Sequence, residues 1–344
     1  MSTKKIPVIT VLGSLNIDLV SYVSHHPLPG ETMTANSFAV SPGGKGANQA
    51  VACAKLSRSR SQSGDQNQNK DEDLDPHAAS ASAHIRMLGA VGADSYGTLL
   101  TSNLSSHGVD VTGVSSSPAL KTGIAIIVVD EPTGQNRIIL SPEANHSLQP
   151  GNFTTTLPAP RPDLLIMQLE IPLSTVLAAL RAAREAKVPV LLNPAPAQPL
   201  PEDAYDGLAH LVVNETEAAV LGGVSESELA TSRERLEDVA RGFVGRGVRN
   251  VIITLGERGV FYAYKTGNGA ETGFVSAEKA KVVDTTAAGD TFVGQYALDV
   301  VGADGGGSSR FDIHAAVRKA NRAAAKTVEK LGAQDSIPWR DELL

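Results

Sequence analysis

Between Asp163 and Leu255, short apolar runs alternate with amphipathic stretches, and a polar residue closes almost every run. Leu164 to Leu169 ends in Glu170, Val188 to Leu192 in Asn193, Leu211 to Val213 in Asn214, and Val251 to Leu255 carries Thr254. Thr175 to Ala186 and Arg233 to Gly245 have helical periodicity. Strands joined through helices by short connections form a parallel sheet with right-handed crossovers. The predicted fold is α/β: a doubly wound, mostly parallel sheet flanked by helices. Glu170, Asn193, Asn214, Glu217 and Thr254 cluster at strand ends, where such a sheet opens its ligand crevice.

The N-terminal third adds a second element. Ile6 to Leu12 is a continuous apolar run, the pattern of a central strand buried on both faces. Asn16 and Asp18 follow, placed just past that strand's end either as ligand groups or as turn caps. Leu19 to Val23 and Thr32 to Val40 alternate as strands around Pro27, Pro29 and Gly30, and predict a small projecting sheet. Val109 to Val114, Gly123 to Val129 and Arg137 to Leu140 are expected to complete it, so that it spans about 19–40 and 109–140, with a hinge near Thr122 and Gly123. His84 to Val91 is a strand and Tyr96 to His107 a helix. Ser41-Pro42-Gly43-Gly44-Lys45-Gly46-Ala47-Asn48-Gln49-Ala50 is a glycine-rich turn opening a helix. Lys45 and Asn48 share one face of it. Ser57 to Ala83 is polar, with Leu74 its only large aliphatic, and is expected to be a disordered insertion.

Near the other end, Val282 and Val283 predict the end of a strand, and Gly259 to Tyr264 and Gly273 to Val283 predict antiparallel strands finishing the sheet. Thr291 to Val301 predicts a buried helix. Between them lies Asp284-Thr285-Thr286-Ala287-Ala288-Gly289-Asp290, a small-residue turn. A turn that opens a helix presents N–H groups and the positive end of the helix dipole, an anion site. Asp290 at its edge is badly suited to bind an anion and well suited to take a proton from a hydroxyl attacking one. The plainer alternative is a helix-capping aspartate. Asp284 must pair, cap the turn or coordinate a cation, and its spacing alone leaves these equal. A last helix runs from Ile313 to Leu331, before a loop over 332–336.

Composition excludes several classes. A net charge of −7 and 4 % aromatics argue against nucleic-acid partners. The single cysteine, Cys53, allows no internal disulfide and fits a reducing compartment. No stretch approaches the ~18 apolar residues of a membrane span, so a cytoplasmic location is expected, with the nucleus also open to it. There is no G-x-x-x-x-G-K-[ST], no G-x-G-x-x-G after the first strand, no G-x-S-x-G, and no metal-ligand spacing among the histidines.

Taken together, 13–18, 42–50, 214–217, 254–259, 284–290 and 332–334 resemble the ribokinase-like, phosphofructokinase-B-type carbohydrate kinase family, nearly end to end apart from 57–83. The stretch 42–50 is closest to its ribokinase branch. The resemblance implies one kinase domain over 1–344 with the small sheet as a lid, and ATP-dependent phosphorylation of D-ribose at O5. It implies that Asn16, Asp18, Gly43, Gly44, Lys45, Gly46, Asn48 and Glu170 hold the sugar and that Asp290 is the general base. Backbone N–H groups of Ala287, Ala288 and Gly289 would receive the γ-phosphoryl group. Asn214, Glu217, Thr254, Leu255, Gly256, Glu257, Arg258, Gly259, Ala288, Gly289 and Asn321 would form the nucleotide site, with Glu217 ordering Mg2+ through water. Asp284, Thr286, Thr327, Lys330, Gly332 and Ser336 would hold K+, and the lid would form a homodimer contact. Two rivals stay open: the same chemistry on deoxyribose, fructose or pseudouridine, and a non-catalytic sugar sensor on the same fold.

Overall fold

The computed structural model describes residues 5–60, 81–153, 157–304 and 311–343. The expected insertion falls mostly on 61–80, outside them, but its ends are built into the molecule. Ser57 and Arg58 are buried at the end of the first helix, Ala83 is fully buried, and Ser82 N donates to Ser57 O at 3.0 Å. The expected bounds of 57–83 were therefore too wide, because polar composition does not reveal a residue that is buried through its hydrogen bonds.

The strands are β1 (Val8–Leu12), β2 (Asn16–Val23), β3 (Ser37–Gly43), β4 (His84–Gly92), β5 (Val109–Ser117), β6 (Gly123–Asp130), β7 (Asn136–Ser141), β8 (Leu164–Met167), β9 (Val190–Leu192), β10 (His210–Asn214), β11 (Asn250–Thr254), β12 (Val260–Thr266) and β13 (Gly269–Val275). The helices are α1 (Lys45–Leu56), α2 (Ser95–Ser106), α3 (Leu173–Glu185), α4 (Glu215–Gly222), α5 (Glu226–Thr231), α6 (Arg233–Gly245), α7 (Ala288–Asp304) and α8 (Ile313–Thr327). Nine strands form the main sheet in the order β13-β12-β11-β10-β9-β8-β1-β4-β5, parallel except where β12 and β13 turn back. Successive residues of its strands point to opposite faces. Leu164, Ile166 and Ile252 join one core layer with residues of α1, α7 and α8, while Leu165, Met167, Val251 and Ile253 join the other beneath α3 and α6. Burial on both faces explains the unbroken apolar runs.

The lid is a four-stranded sheet, β3-β2-β6-β7. It corrects three expectations. Asn16 and Asp18 lie in β2 itself, because the chain leaves the main sheet after β1 and enters the lid only three residues later. Residues 32–36 are not strand. β5 pairs in parallel with β4 at the edge of the main sheet, not in the lid. Alternation marks a strand but not the sheet it joins. A fourth correction concerns Val282 and Val283, which are exposed in a loop after β13, with Val283 N donating to Val328 O at 2.7 Å. Among the described residues, no helix is long and apolar enough to cross a membrane.

Candidate active site

Loops at the C-terminal ends of β1, β8, β9, β10 and β11 converge beneath the lid. A cavity of about 570 Å³ is lined from below by Glu170, Asn193, Asn214, Glu217 and Thr254, from α1 by Lys45 and Asn48, and from the lid by Asn16, Asp18, Ile127 and Ile138. Ala287, Gly289 and Asp290 close its floor. A second cavity of about 460 Å³ adjoins it, lined by Gly256, Glu257, Gly259, Ala288, Phe292 and Asn321 among others. Thr254, Thr285 and Gly289 line both. The two chambers meet at the anion turn.

The residues of the first chamber are held by one another. Gly44 is the N-cap of α1 with φ of 86°, where a Cβ would sit 2.7 Å from Asn16 N. At Gly43 a Cβ would lie 2.1 Å from Asp18 Oδ2. Glycine is therefore the residue that lets α1 begin against β2. Glu170 Oε2 accepts from Ser14 Oγ at 2.6 Å and from Lys45 N at 3.0 Å. Asn145, between β7 and β8, donates to Asn16 Oδ1 at 2.8 Å. Gly43 and Gly46 do not line the cavity; they bring its lining together.

The charges are concentrated. Burial, then the neighbouring Glu170 and Asp290 carboxylates, push Asp18 up to about 7, with Lys45 opposing. Burial disfavours the charged form of Lys45. Asp290, Glu170, Glu217 and Asp18 together outweigh that and hold its ammonium above the usual lysine range. Burial also raises Glu217, against the Asn214 N–H and Lys45. Asn214 and Glu217 form a capping box on α4, with Glu217 N donating to Asn214 Oδ1 at 2.8 Å and Asn214 N to Glu217 Oε2 at 2.9 Å.

Ala287, in the middle of the anion turn, takes a φ of 60°. That conformation costs about 1 kcal/mol or more for a residue with a Cβ, and such strain concentrates at functional turns. Ala288 N donates to Thr285 O at 3.3 Å, so it also serves the turn, and α7 starts at Ala288, three residues before the expected Thr291. Asp290 is buried and gripped on both oxygens. Asn48 Nδ2 donates to Oδ2 at 3.0 Å and Gln49 Nε2 to Oδ1 at 2.9 Å.

In the second chamber, Asn321 Nδ2 donates to Ser276 O at 2.8 Å, and Gly259 has a φ of 110° where a Cβ would strike Val275 O. Leu255 is buried and lines neither cavity. Arg258 turns away, bonded to Glu215 and to Ala230 O. Asp284 caps the turn: Oδ1 accepts from Thr286 N at 2.9 Å and Thr286 Oγ1 at 2.7 Å, and Oδ2 from Gly332 N at 2.9 Å. Lys330 Nζ pairs with Glu342 at 2.8 Å, and Ser336 Oγ donates to Ala333 O at 2.8 Å. Thr327 Oγ1 donates to Thr291 Oγ1 at 2.8 Å. Gln49, Asn145 and Gln334 were missed as site residues; two of them lie inside motifs whose charged neighbours drew the assignment.

The family model described as pfkB family carbohydrate kinase matches residues 7–340. The chain is a member of the pfkB family of carbohydrate kinases. The ribokinase of Schizosaccharomyces pombe is 40 % identical to this family member over 339 residues, covering 96 % of this chain and 94 % of that one. The deoxyribokinase of Salmonella typhi is 32 % identical, covering 96 % and 95 %. The structure of Arabidopsis thaliana ribokinase complexed with ribose and ATP has a TM-score of 0.80 at 28 % identity, covering 98 % of each chain. The pfkB family fold thus has here its parallel sheet and its lid, with the polar chamber between them and the second chamber beside it.

Proposed function

We propose that this carbohydrate kinase transfers the γ-phosphoryl group of ATP to O5 of D-ribose, giving D-ribose 5-phosphate and ADP. The observation that carries the reading is that Asp290 sits on the floor of the polar chamber beside Gly289, which lines both chambers. The 40 % identity to a ribokinase and the likeness to a ribokinase holding ribose and ATP support it. Asp18, Lys45, Asn48 and Glu170 offer acceptors and donors to sugar hydroxyls. Asp290 takes the proton of the primary hydroxyl, the oxygen attacks phosphorus, and the bond to the β-phosphate bridging oxygen breaks as ADP leaves. Such transfer needs mainly positioning and charge stabilisation. The first N–H groups of α7 and its dipole face the charge that develops on the phosphoryl oxygens.

Magnesium, when bound with the nucleotide, neutralises phosphate charge. Among the described residues there is no cluster of three or more acidic or histidine side chains that could hold a metal ion. This suits an ion carried by phosphates and waters, with buried Glu217 as an outer partner. For K+, Asp284 ties the anion turn to the segment after α8 through Gly332. One carboxylate and nearby backbone carbonyls suit a large monovalent cation, and the ion would stiffen the turn. The strand register puts Phe38, Val40, Ile126 and Ile139 on the lid face away from the sugar chamber, all exposed, and a second copy is the partner we assign to it. Buried Cys53 supports a reducing compartment such as the cytoplasm.

The deoxyribokinase relative keeps 2-deoxy-D-ribose as a second reading. ATP consumption with D-ribose, 2-deoxy-D-ribose, D-fructose and pseudouridine separates them. The highest kcat/KM is expected for D-ribose, and a clear preference for another acceptor overturns the assignment.

A further inference from the structure

Gln49 is fully buried in the second turn of α1. Its amide touches three polar partners. Nε2 donates to Asp290 Oδ1 at 2.9 Å and to Asn193 Oδ1 at 2.9 Å, while Oε1 accepts from Gln168 Nε2 at 2.5 Å. Asn193 Nδ2 in turn donates to Val212 O at 2.9 Å. A backbone carbonyl can only accept, so Asn193 must turn its oxygen toward Gln49. A flip of the Gln49 amide would set its oxygen against a carboxylate and against the Asn193 oxygen, two acceptor–acceptor contacts in a dry site. The orientation is therefore locked by Asp290 and Asn193, with Gln168 Nε2 supplying the donor that the Gln49 oxygen needs.

We infer that Gln49 is a positioning residue for phosphoryl transfer: its locked amide fixes the plane of the Asp290 carboxylate and keeps it aimed at the acceptor hydroxyl, with Gln168 and Asn193 fixing Gln49 in turn. Asn48 alone holds one oxygen of Asp290 and leaves the carboxylate able to swing about that contact; Gln49 on the other oxygen removes that freedom. Three strands thus act on the base through one side chain: β8 through Gln168 just past its end, β9 through Asn193 just past its end, and β10 through the Val212 carbonyl that holds Asn193. This inference rests on the phosphotransfer reading and on Asp290 as its base.

The test is a double-mutant cycle with Gln49→Met and Gln168→Met, both keeping side-chain length without the amide. The acceptor used is whichever sugar the wild-type protein turns over fastest. Failure of the substrate assignment then shows in the wild-type protein, and failure of the inference only in the variants. For Gln49→Met, kcat is expected to fall roughly 10- to 100-fold, the scale of a small misplacement of a catalytic group, with KM for sugar and ATP held within about twofold. Gln168→Met should lower kcat less, and should add nothing further in the Gln49→Met background, because it acts only through Gln49. If Gln49→Met does not fold, Gln49→Glu keeps the shape and sets an acceptor against Asp290, with at least the same loss of kcat expected. Multiplying effects in the double variant, a loss confined to KM, or kcat within about twofold of wild type in the folded Gln49 variant would each overturn the inference.

Discussion

Asn48 Nδ2 lies 3.0 Å from Asp290 Oδ2, although 242 residues separate them. Asn48 projects from the helix that opens on the glycine-rich turn, and Asp290 from the helix that opens on the anion turn. Side by side, the two helix starts bring the Asn48 amide onto the carboxylate proposed as the base. Gln334 Nε2 donates to Asn48 Oδ1 at 3.0 Å, which orients the Asn48 amine toward the base.

Asp290→Asn keeps the size of the side chain and removes the proton acceptor. kcat is expected to fall roughly 10²- to 10⁴-fold, about 3–5 kcal/mol of barrier, with ATP binding near wild type. Steady-state kinetics with calorimetric binding of ATP checks this. Turnover close to wild type removes Asp290 from the role of base.

Lys45 and Asn48 line the polar chamber and not the adjoining one proposed for the nucleotide. Alanine at either should lower kcat/KM for the sugar roughly 10- to 100-fold, the worth of a hydrogen bond to a charged or buried group. The Kd for ATP should hardly move. A defect seen mainly in nucleotide titrations would contradict the assignment.

Asp18 supplies a pH dependence. In the folded protein it holds its proton up to about 7, against an ordinary carboxylate value near ~4 in the unfolded chain. Between those limits the folded state binds more protons, so this group's contribution to stability falls as pH rises, by on the order of 4 kcal/mol at most. Asp18→Asn carries no such charge. Its ligand-free Tm should exceed that of wild type by a few degrees at pH 8 and match it near pH 4, while sugar affinity drops. A Tm difference independent of pH would show that the Asp18 carboxylate is not the titrating group.

Exchanging Na+ for K+ at constant chloride tests the cation. Turnover of the wild-type protein is expected to rise in K+, chiefly through kcat, and Asp284→Ala should lose the difference between the salts. Equal wild-type rates in both would leave Asp284 with turn capping alone.

Much of the scaffold could be read from the chain because burial on both faces writes itself as apolar runs, and polar residues mark where those runs end. Glu170, Asn193, Asn214 and Thr254 were found that way. The lid boundary was not, because Val109 to Val114 alternates like a lid strand while pairing with β4. Val282 and Val283 misled for a related reason: two β-branched residues have strand propensity wherever they stand, and here they are exposed. Helices α4 and α5 were overlooked although Asn214–Glu217 and Ser225–Glu228 both carry the capping-box spacing. The amides of Gln49, Gln168 and Asn193 were beyond reach for a different reason. A neutral glutamine in a small-residue helix has no sequence signature of its partner, and its meaning appears only when the fold brings Asp290, Asn193 and Gln168 around it.

In the proposed reaction an acceptor hydroxyl and a transferring phosphoryl group meet between Asp290 and the start of α7. Phosphorus NMR of a reaction containing the protein, ATP, Mg2+, K+ and D-ribose tests this directly. ADP and a phosphomonoester are expected in equal amounts, the ester coupled to the two C5 protons, with both signals strongly reduced for Asp290→Asn. Inorganic phosphate in place of a sugar ester, or an ester on another carbon, would contradict it.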